Sequence, residues 1–428
     1  RMRFVALVSA VSAMSAGGRG WPSSLASHVS RGVLRTVRES VQTDGVRGGA
    51  ATAVKLAGMI GNELVVFPLG KVGFAARAML YRRRHCTIVP LGEGGGVEVY
   101  SEGGTPGGPI VLFVHGGSWG QGAPWQYALL ARRLLEAGAL RVGIVRYRLF
   151  PEGDVHSMVS DVGAALDWAR TESSAEPMPS EVTIAAHSAG AHLCSLHLSR
   201  AVLRVGAAGN LPDRFVALSG VFDIAPHFAH ERTRSVHWLS PMWLVMMGRR
   251  VALLTESGSS AGEDEMEEEH PHVMLEELAQ EASRGAEAGD QWSASELRAW
   301  ARASPTRFLR AAQAAAAHHW PPTTVLHAED DGTVPVRSAR EFVHALRRAA
   351  GQRSDVHTYA EFGRGGHGEV MVALAGHEPL TALEPHIAEL ARYFLASVVQ
   401  PRVGGNEAQA GSLRVGEGRW GKSARVRV

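Results

Sequence analysis

Residues 182–190 read Val-Thr-Ile-Ala-Ala-His-Ser-Ala-Gly, and no other part of the sequence indicates the fold as strongly. An apolar run leads into Ser188 and an apolar helical pattern leaves it, which predicts a serine on a sharp strand-to-helix turn. Such a turn needs small residues two before and two after the serine, because strand and helix cross closely there. Ala186 and Gly190 stand at these two places. The stretch predicts that the Ser188 hydroxyl lies exposed above a sheet edge as a candidate nucleophile.

A second stretch, residues 113–120, reads Phe-Val-His-Gly-Gly-Ser-Trp-Gly and again follows an apolar strand. Attack of a serine on an acyl group creates an oxyanion, which needs preorganised backbone N–H donors. Loops of the His-Gly-Gly type supply one donor, and the residue after the nucleophile supplies the other. We therefore predict an oxyanion hole built from Gly116 or Gly117 together with Ala189. A plain turn would explain the glycines but not their pairing with Ser188.

Three neighbouring acids compete for the role of the carboxylate that orients a catalytic histidine. Residues 325–335 read Val-Leu-His-Ala-Glu-Asp-Asp-Gly-Thr-Val-Pro, so the acids lie just past a predicted strand. This is the place of the acid in the chain order Ser, Asp, His. Asp331 is favoured because it stands three residues before Val334, whereas Glu329 and Asp330 are expected to face solvent.

The general base is predicted at His367, within the loop sequence Gly-Arg-Gly-Gly-His-Gly at residues 363–368. The loop follows a predicted strand and precedes the last predicted helix, where the base completes the chain order. A histidine that lies in this loop by chance is the alternative. Two further histidines, His187 and His192, flank the serine, and we expect them to pack or to form structural hydrogen bonds.

Predicted strands and helices alternate from about Cys86 onward, which is typical of a parallel sheet with crossover helices. The predicted strands are Ile110–His115, Val142–Tyr147, Val182–His187, Phe215–Leu218, Thr323–His327 and Val356–Tyr359. The predicted helices are Trp125–Ala137, Ser157–Thr171, Ala189–Val202, Arg340–Ala350 and Pro385–Ala396. The sequence therefore predicts an α/β fold with a mostly parallel central sheet.

The charge distribution divides the chain into segments. Residues 1–85 carry 13 Lys and Arg against three acids, and residues 254–292 carry 12 acids against one base, although the net charge is only +2. We expect a basic leader at 1–85, a catalytic domain at 86–400 with a disordered acidic insertion at 254–292, and a loose tail at 401–428. The near-neutral catalytic portion does not predict a nucleic-acid partner, which would require a basic face on the folded domain.

The leader allows more than one interpretation. Residues 4–18 form an uncharged, small-apolar run behind two arginines, as in a signal or transit peptide. Residues 57–80, followed by three arginines at 82–84, are typical of a peripheral membrane element. An endomembrane location (ER or Golgi) is favoured, an organelle transit peptide is the alternative, and a disordered leader is equally compatible.

The sequence predicts neither a cofactor nor a metal. No phosphate loop or dinucleotide fingerprint follows a predicted strand, and the paired histidines lack metal-ligand spacing. The two cysteines, Cys86 and Cys194, cannot form a disulfide framework and are expected to be free thiols, buried in the case of Cys194.

With these motifs in place, the chain resembles the isoprenylcysteine α-carbonyl methylesterases, within the wider esterase, lipase and kynurenine-formamidase group. The resemblance runs from about residue 86 to 396, apart from the acidic insertion, and is carried by His115–Trp119, Tyr147–Gly153, Asp161, Ala165, Trp168, Ser188–Leu193 and Leu218–Ile224. Arg146 stands where such enzymes usually carry Asp, and Ala186 where glycine is commoner.

The resemblance implies an α/β-hydrolase fold with helices on both faces of the sheet and with the acidic insertion in the lid region. It also implies a serine esterase that demethylates prenylcysteine methyl esters. More broadly, the substrate is expected to be a small-molecule ester or a prenylated C-terminal ester. A general carboxylesterase or an arylformamidase of the kynurenine formamidase kind is the near alternative. A non-catalytic binding protein of the same fold is the distant one.

Overall fold

The structure is a computed structural model that describes residues 72–92, 94–203, 211–234, 240–246, 294–311, 319–351, 357–376, 384–400 and 424–427. The acidic insertion expected at 254–292 lies outside the described residues. So do the leader up to residue 71 and the tail apart from 424–427.

Helices and strands alternate through the described residues. The strands are β1 (Thr87–Leu91), β2 (Gly95–Tyr100), β3 (Ile110–Val114), β4 (Arg141–Arg146), β5 (Val182–His187), β6 (Arg214–Leu218), β7 (Thr323–Ala328), β8 (Thr358–Phe362) and β9 (Ala424–Arg427). The helices are α1 (Val72–His85), α2 (Ala128–Glu136), α3 (Val155–Ala175), α4 (Ala189–Leu203), α5 (Ile224–Thr233), α6 (Met242–Met246), α7 (Ala294–Arg302), α8 (Pro305–Ala311), α9 (Val336–Ala350), α10 (Glu369–Ala375) and α11 (Pro385–Val399).

The strands form one sheet in the order β1-β2-β4-β3-β5-β6-β7-β8-β9. Strands β3 to β8 pair in parallel with one another, whereas β1, β2 and β9 pair antiparallel at the two sides of the sheet. The predicted mostly parallel sheet is confirmed. Because parallel strands all point the same way, the segments that leave their carboxyl ends meet along one edge.

Each central strand sends alternate side chains into two separate hydrophobic cores. In β3, Leu112 packs into the core that contains α3, α4 and α9, whereas Phe113 packs into the core that contains α1, α2 and α11. The period of two in side-chain direction along a strand produces this division. The predicted helices on both faces of the sheet are therefore confirmed, and β3 is apolar throughout because both of its faces are buried.

Helix α1 packs on the sheet, although its residues fall in the segment interpreted as a leader. Ala78 is fully buried in the core that contains α1, α2 and α11, called the second core below. The Arg82 guanidinium donates two hydrogen bonds to the buried Glu98 carboxylate of β2, at 2.7 and 2.8 Å. Arg146 donates to the same carboxylate at 3.0 Å. The folded unit thus extends at least to residue 72, and the unusual Arg146 is explained by its partner Glu98.

The sequence patterns missed β1, β2 and β9, and β9 pairs with β8 although it lies in the segment expected to be a loose tail. Three of the five residues of β1 are exposed and the strand contains Pro90, whereas β2 begins with Gly95 and Gly96. An edge strand needs no continuous apolar run, and glycine carries no side chain that reports burial. Long-range pairing of β2 with β4, and of β1 with β2, forms this side of the sheet, and local sequence does not predict it.

Candidate active site

The turn between β5 and α4 holds Ser188 in a strained backbone conformation. Ser188 has a φ of 54°, in the left-handed region that non-glycine residues rarely adopt. Its N–H donates to the Leu218 carbonyl at 3.0 Å, and its own carbonyl accepts from the His192 N–H at 3.1 Å. These bonds fix the turn between β6 and the first turn of α4, so the strained residue has a single position.

Glycine at position 190 allows helix α4 to start close to β3. A Cβ atom on Gly190 would lie 2.2 Å from the Val114 carbonyl oxygen and 2.6 Å from that of His115. Ala186, at the other small position, is fully buried within β5. The close crossing inferred from the sequence is therefore present, and glycine is indispensable on its helix side.

Three predicted residues from separate elements form one hydrogen-bond chain. His367 Nε2 lies 2.9 Å from Ser188 Oγ, and His367 Nδ1 lies 2.8 Å from Asp331 Oδ2. The other carboxylate oxygen of Asp331 accepts the N–H groups of Thr333 and Val334 at 2.9 and 2.8 Å. Both carboxylate oxygens are thus engaged, which fixes the orientation of the His367 ring and places its second nitrogen at the serine hydroxyl.

The two competing acids lie outside this chain, as expected. Glu329 and Asp330 are both exposed. Asp330 accepts the N–H of Gly366 at 2.9 Å, and Glu329 lies 3.9 Å from the Arg340 guanidinium. The turn after β7 therefore directs only the third acid, Asp331, inward.

Asp331 is held as a carboxylate by two histidines. Burial alone would oppose its ionisation, but hydrogen bonds and charge interactions with His327 and His367 hold the pKa of Asp331 well below its usual range. His327 is fully buried, and its Nε2 lies 2.9 Å from the Val334 carbonyl and 3.4 Å from Asp331 Oδ2. Sequence reasoning missed His327, although its place four residues before the acid was the available signal.

The glycine loop after β3, residues 116–119, lies directly against Ser188. A Cβ on Gly116 would meet the Ser188 Cβ at 2.8 Å. The next three residues have positive φ values, 128° at Gly117, 48° at Ser118 and 59° at Trp119. Non-glycine residues in such conformations cost about 1–3 kcal/mol each and persist only when surrounding contacts fix them. The loop is therefore built for a close approach to Ser188.

Three buried histidines surround the site in the neutral form. Burial lowers the pKa of His115 to about 4 and that of His192 to about 4. Burial and the neighbouring charge of His367 lower the pKa of His187 to about 3. His187 Nε2 donates to the His367 carbonyl at 2.9 Å, with the two ring centroids 4.9 Å apart. His187 and His192 thus make structural hydrogen bonds beside the serine, as expected.

The ranges that the structure describes also bear on a metal site, on the two thiols and on a membrane-spanning helix. There, no group of three His, Cys, Asp or Glu side chains is placed to hold a metal ion. Cys194 is a buried free thiol and Cys86 a partly exposed one. Among the helices of the described ranges, none has the length and apolar character needed to cross a bilayer.

Comparison with known proteins agrees with this architecture. A family described as alpha/beta hydrolase fold matches residues 111–370. The chain belongs to the α/β-hydrolase fold family.

Individual relatives match shorter parts of the chain. It is 37% identical over 91 residues to a probable isoprenylcysteine alpha-carbonyl methylesterase of Oryza sativa subsp. japonica, covering 21% of this chain and 22% of that protein. It is 32% identical over 141 residues to a kynurenine formamidase of Danio rerio, covering 32% and 46%. These matches span less than half the length of either relative.

Among solved structures, a thermostable esterase from Pseudomonas putida superposes with a TM-score of 0.48 at 15% identity, covering 76% of this chain and 89% of that one.

Proposed function

We propose that this chain is a serine esterase in which Ser188 is the nucleophile, His367 the general base and Asp331 the acid that orients it. The observation that carries the proposal is the continuous hydrogen-bond chain from Ser188 Oγ through His367 to Asp331. A nucleophile within hydrogen-bond reach of a base that is itself oriented by a third group is the arrangement that acyl transfer requires.

The proposed reaction forms an acyl-enzyme and then hydrolyses it. As Ser188 Oγ attacks the ester carbonyl, its proton moves to His367 Nε2, and the carbonyl oxygen becomes an oxyanion held by backbone N–H groups. The donors are those of Ala189 and of Gly116 or Gly117. Collapse of the tetrahedral intermediate breaks the ester C–O bond, and His367 returns the proton to the departing alcohol. Water, deprotonated by His367, then attacks the acyl-enzyme and releases the acid and Ser188.

The preferred substrate is a prenylcysteine methyl ester, from which methanol leaves. The support is the motif set around residues 115–119, 147–153 and 218–224, together with the relative named as an isoprenylcysteine methylesterase. A prenylated C-terminal ester and other small carboxylic esters fall in the same chemical class.

Formamide hydrolysis is the second candidate, and one observation favours it. The relative named kynurenine formamidase matches a longer stretch, 141 residues against 91. The same three residues would serve, with His367 protonating a departing amine in place of an alcohol. A binding protein that kept the fold is the third candidate, but such a protein would need only a pocket and not the hydrogen-bonded chain.

Labelling with a fluorophosphonate probe tests the proposal, with Ser219→Ala as the matched control for Ser188→Ala. Ser219 is also a buried serine directly after a strand, with a positive φ of 50°, but the strand is β6. We expect labelling to survive Ser219→Ala and to vanish in Ser188→Ala. Farnesylcysteine methyl ester should compete for labelling, and N-formylkynurenine should not. Competition by N-formylkynurenine alone would select the formamidase, and a folded chain that never labels would refute catalysis.

We also propose that the amino-terminal side of the domain contacts membranes, with an endomembrane location. Helix α1 exposes Met79 and Leu80, with 57% and 49% of their surface accessible, and Arg83 and Arg84 are exposed one turn further on. Apolar side chains flanked by cations suit an anionic lipid surface, and each cation near such a surface contributes about 1 kcal/mol.

Vesicle sedimentation distinguishes the helix from the preceding chain. We expect the full chain to bind phosphatidylserine-containing vesicles and not purely zwitterionic ones, and the double change M79E/L80E to weaken that binding. A truncation for comparison should remove only residues 1–71, because loss of α1 would expose the second core and deprive Glu98 of Arg82. Equal binding by all versions to both vesicle types would contradict the proposal.

A further inference from the structure

The conformation of the glycine loop needs a restraint from outside the loop. Three consecutive residues with positive φ end at Trp119. Backbone hydrogen bonds provide part of the restraint. The Gly117 carbonyl accepts from Gly120 and Gln121, at 3.1 and 2.9 Å, and the Trp119 carbonyl accepts from Phe150 at 3.0 Å. The Trp119 side chain supplies a further anchor, because it is buried to 1% exposure instead of pointing into solvent.

The partner of that side chain is His192 on helix α4. The indole N–H of Trp119 donates to His192 Nδ1 at 3.2 Å, and the two rings meet edge to face with centroids 5.4 Å apart. An indole nitrogen can only donate. The Nδ1 atom of His192 must therefore be unprotonated, and the proton of the neutral ring resides on Nε2.

The remaining contacts of His192 join two further parts of the site. Its Nε2–H donates to the Ala303 carbonyl at 2.7 Å, in the turn between α7 and α8. Its backbone N–H donates to the Ser188 carbonyl at 3.1 Å. The ring is fully buried, and burial lowers its pKa to about 4, so both nitrogens keep these roles at neutral pH.

We propose that His192 is a positioning residue for the oxyanion hole: through Trp119 it fixes the backbone of Gly116 and Gly117 against Ser188, and through Ala303 it ties that loop to α7 and α8. The inference rests on the esterase function proposed above and assigns His192 no contact with substrate. A histidine that merely filled the core would be replaceable by any side chain of similar volume without a specific effect on turnover.

Two substitutions at the same position separate the two links. In His192→Asn the side-chain oxygen takes the place of Nδ1 and can still accept from Trp119, whereas the bond to Ala303 is lost. In His192→Gln the side-chain nitrogen takes the place of Nε2 and can still donate to Ala303, whereas the bond to Trp119 is lost. Trp119→Phe removes the same bond from the other side and keeps an aromatic ring.

Steady-state kinetics on a p-nitrophenyl ester, together with binding of a trifluoromethyl ketone that forms a tetrahedral oxyanion, provides the readout. Loss of a whole oxyanion donor costs about 100- to 1000-fold in turnover, so we expect a misplaced one to cost about 10- to 100-fold. That loss should appear in kcat for His192→Gln and Trp119→Phe, with KM nearly unchanged and the ketone bound correspondingly more weakly. His192→Asn should retain most of kcat, and the double variant W119F/H192Q should be no worse than either single variant.

Thermal unfolding of each variant separates positioning from folding. Wild-type kcat in a folded Trp119→Phe variant overturns the inference, and so does a loss of kcat in His192→Asn as large as that in His192→Gln. If His192→Gln does not fold, Trp119→Phe decides alone. A wild-type chain that fluorophosphonate does not label overturns the proposed function and this inference with it. A labelled wild type with unaffected variants overturns the inference alone.

Discussion

Replacing Gly190 by Ala tests whether the close crossing of α4 and β3 sets the geometry of the site. The new methyl group would lie 2.2 Å from the Val114 carbonyl oxygen and 2.6 Å from the His115 carbonyl oxygen. Ordinary contacts begin near 3.4 Å. Both obstacles are backbone atoms that no side-chain rotation can remove, so α4 and the end of β3 must move apart by about 1 Å.

That displacement separates the two halves of the site. Ser188 moves with α4, and the glycine loop moves with β3, so the serine shifts relative to Gly116 and to His367. A misplacement of about 1 Å costs roughly 100-fold in rate, equivalent to about 2.7 kcal/mol in the activation free energy. Overpacking also lowers the free energy of unfolding by about 1–3 kcal/mol, which reduces the melting temperature by several degrees.

The assay is kcat/KM on a p-nitrophenyl ester, with thermal unfolding followed by circular dichroism. Gly332→Ala is the matched control: this glycine lies next to Asp331, a Cβ there meets nothing within 4 Å, and its φ lies outside the positive range. We expect the control to keep both activity and stability. If Gly190→Ala behaves like Gly332→Ala in both measurements, the crossing does not determine the site geometry and the reasoning fails.

Three further outcomes are expected. Asp331→Asn should lower kcat about 10⁴-fold with little change in KM, because an amide no longer fixes the ring tautomer of the base; a loss below tenfold would argue against its role. Glu98→Gln should lower the free energy of unfolding by about 2 kcal/mol and leave kcat constant, because it removes a buried charge shared by two arginines that still reach solvent. The control Glu102→Gln, at an exposed carboxylate, should change neither the free energy of unfolding nor kcat. The pKa values of three buried histidines are lowered in the folded state, so the stability that they contribute is present above their unfolded pKa near 6.5 and is lost as the pH falls toward 4. These histidines are His115, His187 and His192. Near pH 5.5, denaturant titrations should therefore show that they make the free energy of unfolding rise by about 3–4 kcal/mol per pH unit. Replacing one of the three should make this slope shallower by about 1 kcal/mol per pH unit.

Much of the fold could be predicted because it depends on local periodicity. The central strands are short runs rich in apolar residues, and the crossover helices carry apolar side chains at helical spacing, so their order and type follow from neighbours in the chain. The strand predicted at Val182–His187 is found with those bounds. The helix predicted at Arg340–Ala350 begins earlier, at Val336, directly after Pro335. The edge strand β1 could not be predicted because three of its five residues are exposed, and β2 could not be predicted because it begins with two glycines.

Local sequence was enough to predict the class of turn at Ser188, the chain order of the three candidate catalytic residues and the parallel sheet. Turn stereochemistry and side-chain periodicity are properties of adjacent residues, so these features needed no tertiary information. Tertiary packing alone shows that Glu98 draws Arg82 and α1 onto the sheet, and that His192 joins Trp119 to Ala303. The partners of His192 lie 73 and 111 residues away along the chain. Such pairings depend on how helices and strands pack in space, and no local pattern encodes them.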